Sequence, residues 1–202
     1  MSKKVFIAFA HPKYKSGESF NSCVRDEFIK SSKERNFEID LMNVYEEKTI
    51  KFWDGSPPDE QILNIRKRME DADIIFLLSP CHNFTMVAAM ENMLSHVISP
   101  PWAFSYKTIF ANWGRPIPHK LKNKTVIIGM TYGSPSPIIT FALHQIPRRI
   151  KKMVFKHLCG AKVEYLRMYE VLPKMPQKVF EKHMKSVRTV SYTHLRAHET
   201  IA

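Results

Sequence analysis

The chain has 202 residues, 44% hydrophobic and 25% charged, the make-up of one ordinary globular domain long enough to bury a full core. Its net charge of +12 comes with no nucleic-acid motif, so the basic residues read first as solvated surface and then as attraction for anionic cofactors. Three cysteines (Cys23, Cys81 and Cys159), odd in number and without metal spacing, exclude a disulfide framework and point to a reducing, cytoplasmic setting.

The first predicted element is the strand Val5-Phe6-Ile7-Ala8-Phe9-Ala10, too short for a signal-peptide core or a membrane span. It ends in a loop, His11 to Asn21. There Ser16, Ser19 and Asn21 supply donors and Gly17 permits a tight bend. A helix carrying Phe20, Val24 and Phe28 follows, and free N–H groups at a helix N-terminus bind phosphate. The loop is neither a Walker A sequence nor GxGxxG.

Glu38 to Asn43 alternates and predicts a second strand. Asp54-Gly55-Ser56-Pro57-Pro58 is a loop, after which Asp59 caps a helix bearing Ile62, Ile65 and Met69. Ile74 to Leu78 is apolar on both faces, as a central parallel strand is. It stops at Ser79-Pro80-Cys81-His82-Asn83-Phe84. In an open α/β sheet, ligands bind beyond the carboxyl ends of such strands, and this turn offers backbone amides, one side-chain amide and one aromatic face to a flat ring. Cys81 reads as a small packing residue, and His82 as either a ring donor or a satisfied turn residue.

Met86, Met90, Met93, Leu94 and Val97 form a helical stripe that reads as core, with His96 structural or at an interface. Ser99 to Lys124 is a long aromatic loop, in which Trp102, Phe104 and Tyr106 read either as simple core or as a substrate pocket or dimer seam. Thr125 to Met130 predicts a strand ending in Thr131-Tyr132-Gly133-Ser134, where Tyr132 joins His82 as a possible catalytic residue. Ile138, Phe141 and Ala142 have helical spacing, interrupted at Pro147. A dense basic cluster follows: Arg148, Arg149, Lys151, Lys152 and Lys156. Ala161 to Val171 is the last strand, and Val179, Phe180 and Val187 mark a final helix. The β-α alternation predicts an α/β fold, a five-stranded parallel sheet with helices on both faces. Phosphate chemistry after the first strand favours the order 2-1-3-4-5.

Val190 to Thr200 fits no element and resembles the translation of a transposon-type sequencing adapter. Residues 1–188 are therefore expected to form a single domain, with 189–202 a non-native tail. His194 and His198, spaced i and i+4, are on that ground not taken as metal ligands.

The remaining motifs carry a family likeness. Pro80-Cys81-His82-Asn83-Phe84-Thr85 resembles the Pro-Met-Tyr-Asn-Phe-Thr turn of FMN-dependent azoreductases. His11-Pro12 with Ser19-Phe20-Asn21, and the stretch Ala103-Phe104-Ser105-Tyr106, are similar to segments of NAD(P)H:quinone oxidoreductases. Lys122-Asn123-Lys124, a strand, then Thr131-Tyr132-Gly133-Ser134 resembles their Lys-Gly-Lys, strand, Thr-Thr-Gly-Gly arrangement. The resemblance implies a flavodoxin-like homodimer that binds FMN, or FAD, and takes hydride from NAD(P)H. It then reduces quinones or related aromatic acceptors. Azo compounds or free flavin are the alternative acceptors, and a non-catalytic electron carrier is the alternative role. By that likeness His11, Ser16, Ser19, Phe20 and Asn21 hold the flavin phosphate. Pro80 to Phe84 wrap the ring, and Thr131 to Ser134 meet its pyrimidine side. The sequence itself shows no metal spacing, nucleic-acid motif or membrane span, so none of these partners is expected. Ser134 replaces the family's second glycine, Val87 its proline, and Met90-Glu91 its Leu-Lys. His144 matches an active-site histidine of the family only with a one-residue slip.

Overall fold

A computed structural model describes residues 3–46, 50–111, 113–136 and 150–199, the last four in backbone alone. In chain order the elements are β1 (Lys4–Phe9), α1 (Phe20–Lys33), β2 (Glu38–Asn43), α2 (Glu60–Asp71), β3 (Ile74–His82), β4 (Thr85–Met86) and α3 (Ala88–Val97). There follow β5 (Phe104–Phe110), β6 (Trp113–Pro118), β7 (Thr125–Thr131), the π-helical α4 (Ile150–Leu158), β8 (Lys162–Met168) and α5 (Gln177–Glu199). The central strands pair in parallel in the order β2-β1-β3-β7-β8, the predicted 2-1-3-4-5 arrangement, with β4 an added antiparallel partner of β3.

Strand alternation divides the core in two. Phe6, Ala8, Ile75, Leu77, Val126 and Ile128 face α2, α3 and α4, where Ile65, Met69, Met90, Met93 and Phe155 meet them. Val5, Ile7, Ile74, Phe76 and Ile127 face α1 and α5, against Val24, Phe28 and Val187. Each of the larger side chains among them, once fully buried, contributes about 1.5–3 kcal/mol. A Cβ at Gly129 in β7 would lie 2.8 Å from the Phe76 ring and 3.0 Å from Leu78, so any larger residue there requires these buried side chains to shift. Met90, Met93, Leu94 and Val97 of the predicted stripe are buried on α3, while Met86, read as its first member, lies instead in β4 opposite Cys81 and is buried there.

Two helix ends deserve their chemistry. Ser19 caps α1 in a reciprocal box with Ser22, and Asp59 caps α2 through the Ile62 amide. Arg66 of α2 is buried and binds the far end of α3. Its Nε donates to Val97 O (3.2 Å), and its Nη2 donates to His96 O (3.0 Å) and Ser99 Oγ (2.7 Å). The same guanidinium stacks over Trp102 at 5.4 Å.

The structure departs from the sequence reading in several places. Ser99 to Lys124 is not a bare loop, for β5 and β6 pair as an antiparallel hairpin outside the main sheet. The prolines that suggested a loop, Pro116 and Pro118, sit on its short second strand, where an edge tolerates a missing donor. β3 does not stop at Leu78 but runs on to His82 and turns back into β4. The segment from Val190 onward does not lie outside every element: α5 continues through it to Glu199. Val187, Ser191 and Leu195 are buried at i, i+4 and i+8, so one face of the extended helix packs inward although the Ser191 hydroxyl has no hydrogen-bond partner there. Tyr192 carries Arg35 over its ring at 3.7 Å. The predicted helix at Ile138 to Ala142, with His144, Pro147, Arg148 and Arg149, lies outside the described residues. No helix among the described residues is long and apolar enough to cross a membrane.

Candidate functional site

Three chain reversals meet beyond the carboxyl ends of β1, β3 and β7. The first is the loop leading into α1. Ser19 N–H donates to Ser22 Oγ at 3.0 Å, and Ser22 N–H donates back to Ser19 Oγ at 3.1 Å. Of the amides that a helix start leaves unpaired, this uses two. The Phe20 and Asn21 amides have no acceptor among the described residues. The first turn of α1 holds no acidic residue, and Glu18, just before the cap, turns its carboxylate to the Lys15 amide at 3.1 Å.

The side chains singled out in this loop are mostly committed inside the protein. Ser19 Oγ also donates to Lys13 O (3.0 Å), and Ser16 Oγ donates to Asp26 Oδ2 (2.7 Å). Asn21 is buried, and its Nδ2 donates to Thr131 Oγ1 at 3.0 Å. That bond ties the first reversal to the third. Phe20 leans edge-on against Phe180 and His183 of α5. His11 places Nδ1 3.1 Å from the Lys13 backbone, and partial burial lowers its pKa from the ordinary imidazole value, with repulsion from His82 adding to this.

The second reversal is the β3–β4 hairpin. Cys81 pairs with Met86 and His82 with Thr85, leaving Asn83 and Phe84 as the two turn residues. Both have positive φ, 48° and 66°. A two-residue hairpin turn of this hand suits asparagine, whereas a bulky residue there is an outlier. Phe84 is nonetheless half exposed. Strain of this kind, with an aromatic face left open, is a mark of a working surface. Behind the turn Ser79 Oγ accepts the Val87 amide (3.1 Å) and fixes the return into α3, while Thr85 hydrogen-bonds Glu91. Val87, standing where the family has proline, has extended backbone and caps α3 without a side-chain bond.

The third reversal follows β7. Tyr132 is buried, stacks on Tyr169 (centroids 5.2 Å, 24°) and shares a hydrogen bond with the Tyr165 hydroxyl. Burial pushes its phenol pKa upward, so the hydroxyl stays protonated and faces the core. Its backbone is spent too, through Tyr132 N–H to Met168 O at 2.8 Å. The next two amides, Gly133 and Ser134, have no acceptor among the described residues. Cys81, Asn83, Phe84, Tyr132, Gly133 and Ser134 line a common cleft of about 170 Å³. Burial raises the Cys81 pKa, so this thiol is a poor nucleophile at neutral pH. His82 lies exposed beside it, and Pro80 is buried at the β7 side of β3.

Trp102, Phe104 and Tyr106 do not line this cleft. Trp102 lies under Arg66, Phe104 is buried at the hairpin root, and Tyr106 packs edge-on upon it. Sequence reasoning missed the Asn21–Thr131 bond, the left-handed Phe84 and the tyrosine pair behind Tyr132. Thr131 at a strand end and Asn21 in a helix first turn were visible singly, but nothing in the sequence paired them.

The profile of a family described as having a flavodoxin-like fold matches residues 3–190. No curated protein matches the sequence. Among solved structures, the chain is similar to an FMN-dependent NADH-azoreductase from Bacillus anthracis in complex with FMN. The TM-score is 0.74 at 18% identity, over 96% of this chain and 100% of that one. It is also similar to an NAD(P)H:quinone oxidoreductase from Methanothermobacter marburgensis. There the TM-score is 0.73 at 16% identity, over 95% of this chain and 96% of that one.

Proposed function

The chain belongs to the flavodoxin-like fold family, and from that premise we propose that it is an FMN-dependent NAD(P)H oxidoreductase that reduces quinones or related aromatic acceptors. It does so as a homodimer in a reducing compartment. The single observation that carries the reading is the set of unpaired amides at two strand ends: Phe20 and Asn21 at the start of α1, and Gly133 and Ser134 after β7, the latter pair sharing a cleft with the open Phe84 ring. An anion fits the first pair and the electron-rich edge of a flat heterocycle fits the second. FMN is preferred to FAD because the azoreductase neighbour holds FMN.

A bound flavin would supply the hydride chemistry, accepting two electrons from NAD(P)H and passing them to the acceptor. The protein's residues bind, orient and polarise. Phe20 and Asn21 would hold the phosphate through their amides, within a loop locked by Ser19 and Ser16. Asn83, Phe84 and Cys81 would border the ring. The Gly133 and Ser134 amides would favour negative charge developing at its pyrimidine edge. Tyr132 supports that strand end from behind, and we assign it no proton transfer. His82, exposed between Cys81 and Asn83 in sequence, would be the donor to an acceptor. The excess positive charge favours approach of an anionic dinucleotide.

The test is titration of the apoprotein with FMN and with FAD, read by flavin fluorescence, followed by anaerobic addition of NADH or NADPH. Quenching, bleaching by the dinucleotide and recovery with a simple quinone are expected. Absence of quenching with either flavin would falsify the reading. Recovery with an azo dye but no quinone would move the acceptor to the class of the azoreductase neighbour. Quenching without bleaching would leave an electron carrier.

A further inference from the structure

The second turn of α1 holds a buried charge that the proposed chemistry does not use. Arg25 is only 7% exposed. A guanidinium taken out of water is costly unless its donors are met. Every nitrogen here has a partner. Nε and Nη2 both donate to Asp26 Oδ1, at 2.8 and 2.6 Å, and Nη1 donates to Tyr14 O. The guanidinium carbon lies over the Phe9 ring, 4.9 Å from its centroid. Asp26 turns its other carboxylate oxygen to Ser16, whose Oγ donates to it at 2.7 Å.

Both side chains therefore end on the loop that leads into α1. Between His11 and Ser19 the residues are exposed, Tyr14 excepted, so the loop has little apolar anchorage of its own. Polar contacts hold it instead. Ser19 Oγ binds Lys13 O, Arg25 binds Tyr14 O, Asp26 binds Ser16, and Lys15 and Glu18 close the turn between them. Held in this way, the Ser16 and Gly17 amides have no acceptor among the described residues, as those of Phe20 and Asn21 have none. A flexible loop would lose its freedom on meeting an anion, and affinity would fall by that loss. A loop fixed beforehand has little left to lose.

We propose that Arg25 and Asp26 are positioning residues for the flavin phosphate. They act through Tyr14 and Ser16 rather than on the anion itself. The inference rests on the flavin reading above and adds a selectivity to it: the pair favours FMN over riboflavin.

Two measurements on the apoprotein test it, the first without flavin. Lys13 and Lys15 are exposed trypsin sites within the loop. Brief digestion well below the melting temperature, with nicks after these residues read by mass spectrometry, reports how firmly the loop is held. Arg25→Lys keeps the charge and loses the fork, and Asp26→Asn loses the carboxylate. Both should be nicked about tenfold faster than the parent. In the second measurement FMN affinity should fall at least about tenfold in each, while riboflavin affinity stays with the parent. Ser16→Ala, at an exposed position, should show a smaller change of the same kind. In S16A/D26N the loss should match that of D26N alone, since the carboxylate meets the loop at Ser16. Should D26N fail to fold, R25K and S16A carry both readouts. The proposal is overturned by nicking as slow as in the parent, by equal losses of FMN and riboflavin, or by S16A and D26N losses that add. A parent that binds neither flavin sinks the proposed function and this role with it. FMN binding undiminished in every variant sinks the role of the pair alone.

Discussion

Phe84 offers a clean way to measure the strain placed at the candidate site. Its φ of 66° is a conformation that costs an ordinary L-residue about 1–2 kcal/mol. Changing it to glycine or to alanine removes the same ring, half of which already faces solvent, so the lost contacts cancel between the two variants. What differs is the backbone. Alanine keeps the left-handed penalty; glycine sheds it but loses about 0.5–1 kcal/mol through the greater freedom of its unfolded chain. Phe84→Gly should therefore be more stable than Phe84→Ala by about 0.5–1 kcal/mol, the reverse of the usual order. In a chain of this size that is about 1–4 °C in melting temperature. Urea unfolding of the two apoproteins side by side gives the difference directly. FMN affinity should fall to the same extent in both, because each lacks the aromatic face. An alanine variant as stable as the glycine variant would refute the turn geometry, and undiminished FMN affinity would remove Phe84 from the site.

Other expectations follow from single contacts. Thr131→Val keeps the side-chain shape but leaves the buried Asn21 amide without its partner, at about 1–3 kcal/mol. FMN affinity should drop more than riboflavin affinity, since the phosphate loop is the part that loosens, and parallel titrations would show it. His183 donates from Nε2 to Tyr169 O at 2.8 Å, and burial lowers its pKa from the ordinary imidazole value. The unfolded chain then takes up a proton that the fold resists. Stability from this residue is full above about pH 6.5 and lost as the pH falls below it. His183→Gln should flatten that part of the stability–pH curve, and an unaltered curve would clear the residue. Removing residues 189–202 uncovers the surface under Ser191 and Leu195, so melting should fall by a few degrees. FMN binding should stay intact, because among the described residues that stretch meets Arg35 and Glu164 rather than the cleft; a loss of flavin would make the tail part of the site.

The sheet was legible because β1, β3 and β7 are apolar on both faces and each is followed by a loop and a helical period. The hairpin was not, because Pro116 and Pro118 carry the signature of a loop whether or not an edge strand accommodates them. At the candidate site the positions were readable, while the use of each side chain was not. Ser19 has the donor expected of a phosphate ligand, but its lone pair caps α1 and its proton goes to Lys13. Asn21 looked like a second donor and is spent on Thr131, 110 residues away. Positive φ at Phe84 leaves no trace in composition, since phenylalanine is not a residue that announces it. The continuation of α5 rests on two buried residues spaced one turn apart, Ser191 and Leu195, a period too short to separate from chance.

Arg66 gives the projecting hairpin a stiff mounting. Its guanidinium bolts α2 to the last turn of α3 and to Ser99, and it clamps Trp102 from above. Trp102 and Ala103 in turn receive the returning strand, through Lys120 N–H to Trp102 O and His119 N–H to Ala103 O. The hairpin is thus less a tether than a bracket. Whatever holds its tip also sets the compass heading of the domain, and with it the direction in which the mouth between Phe84 and Ser134 opens.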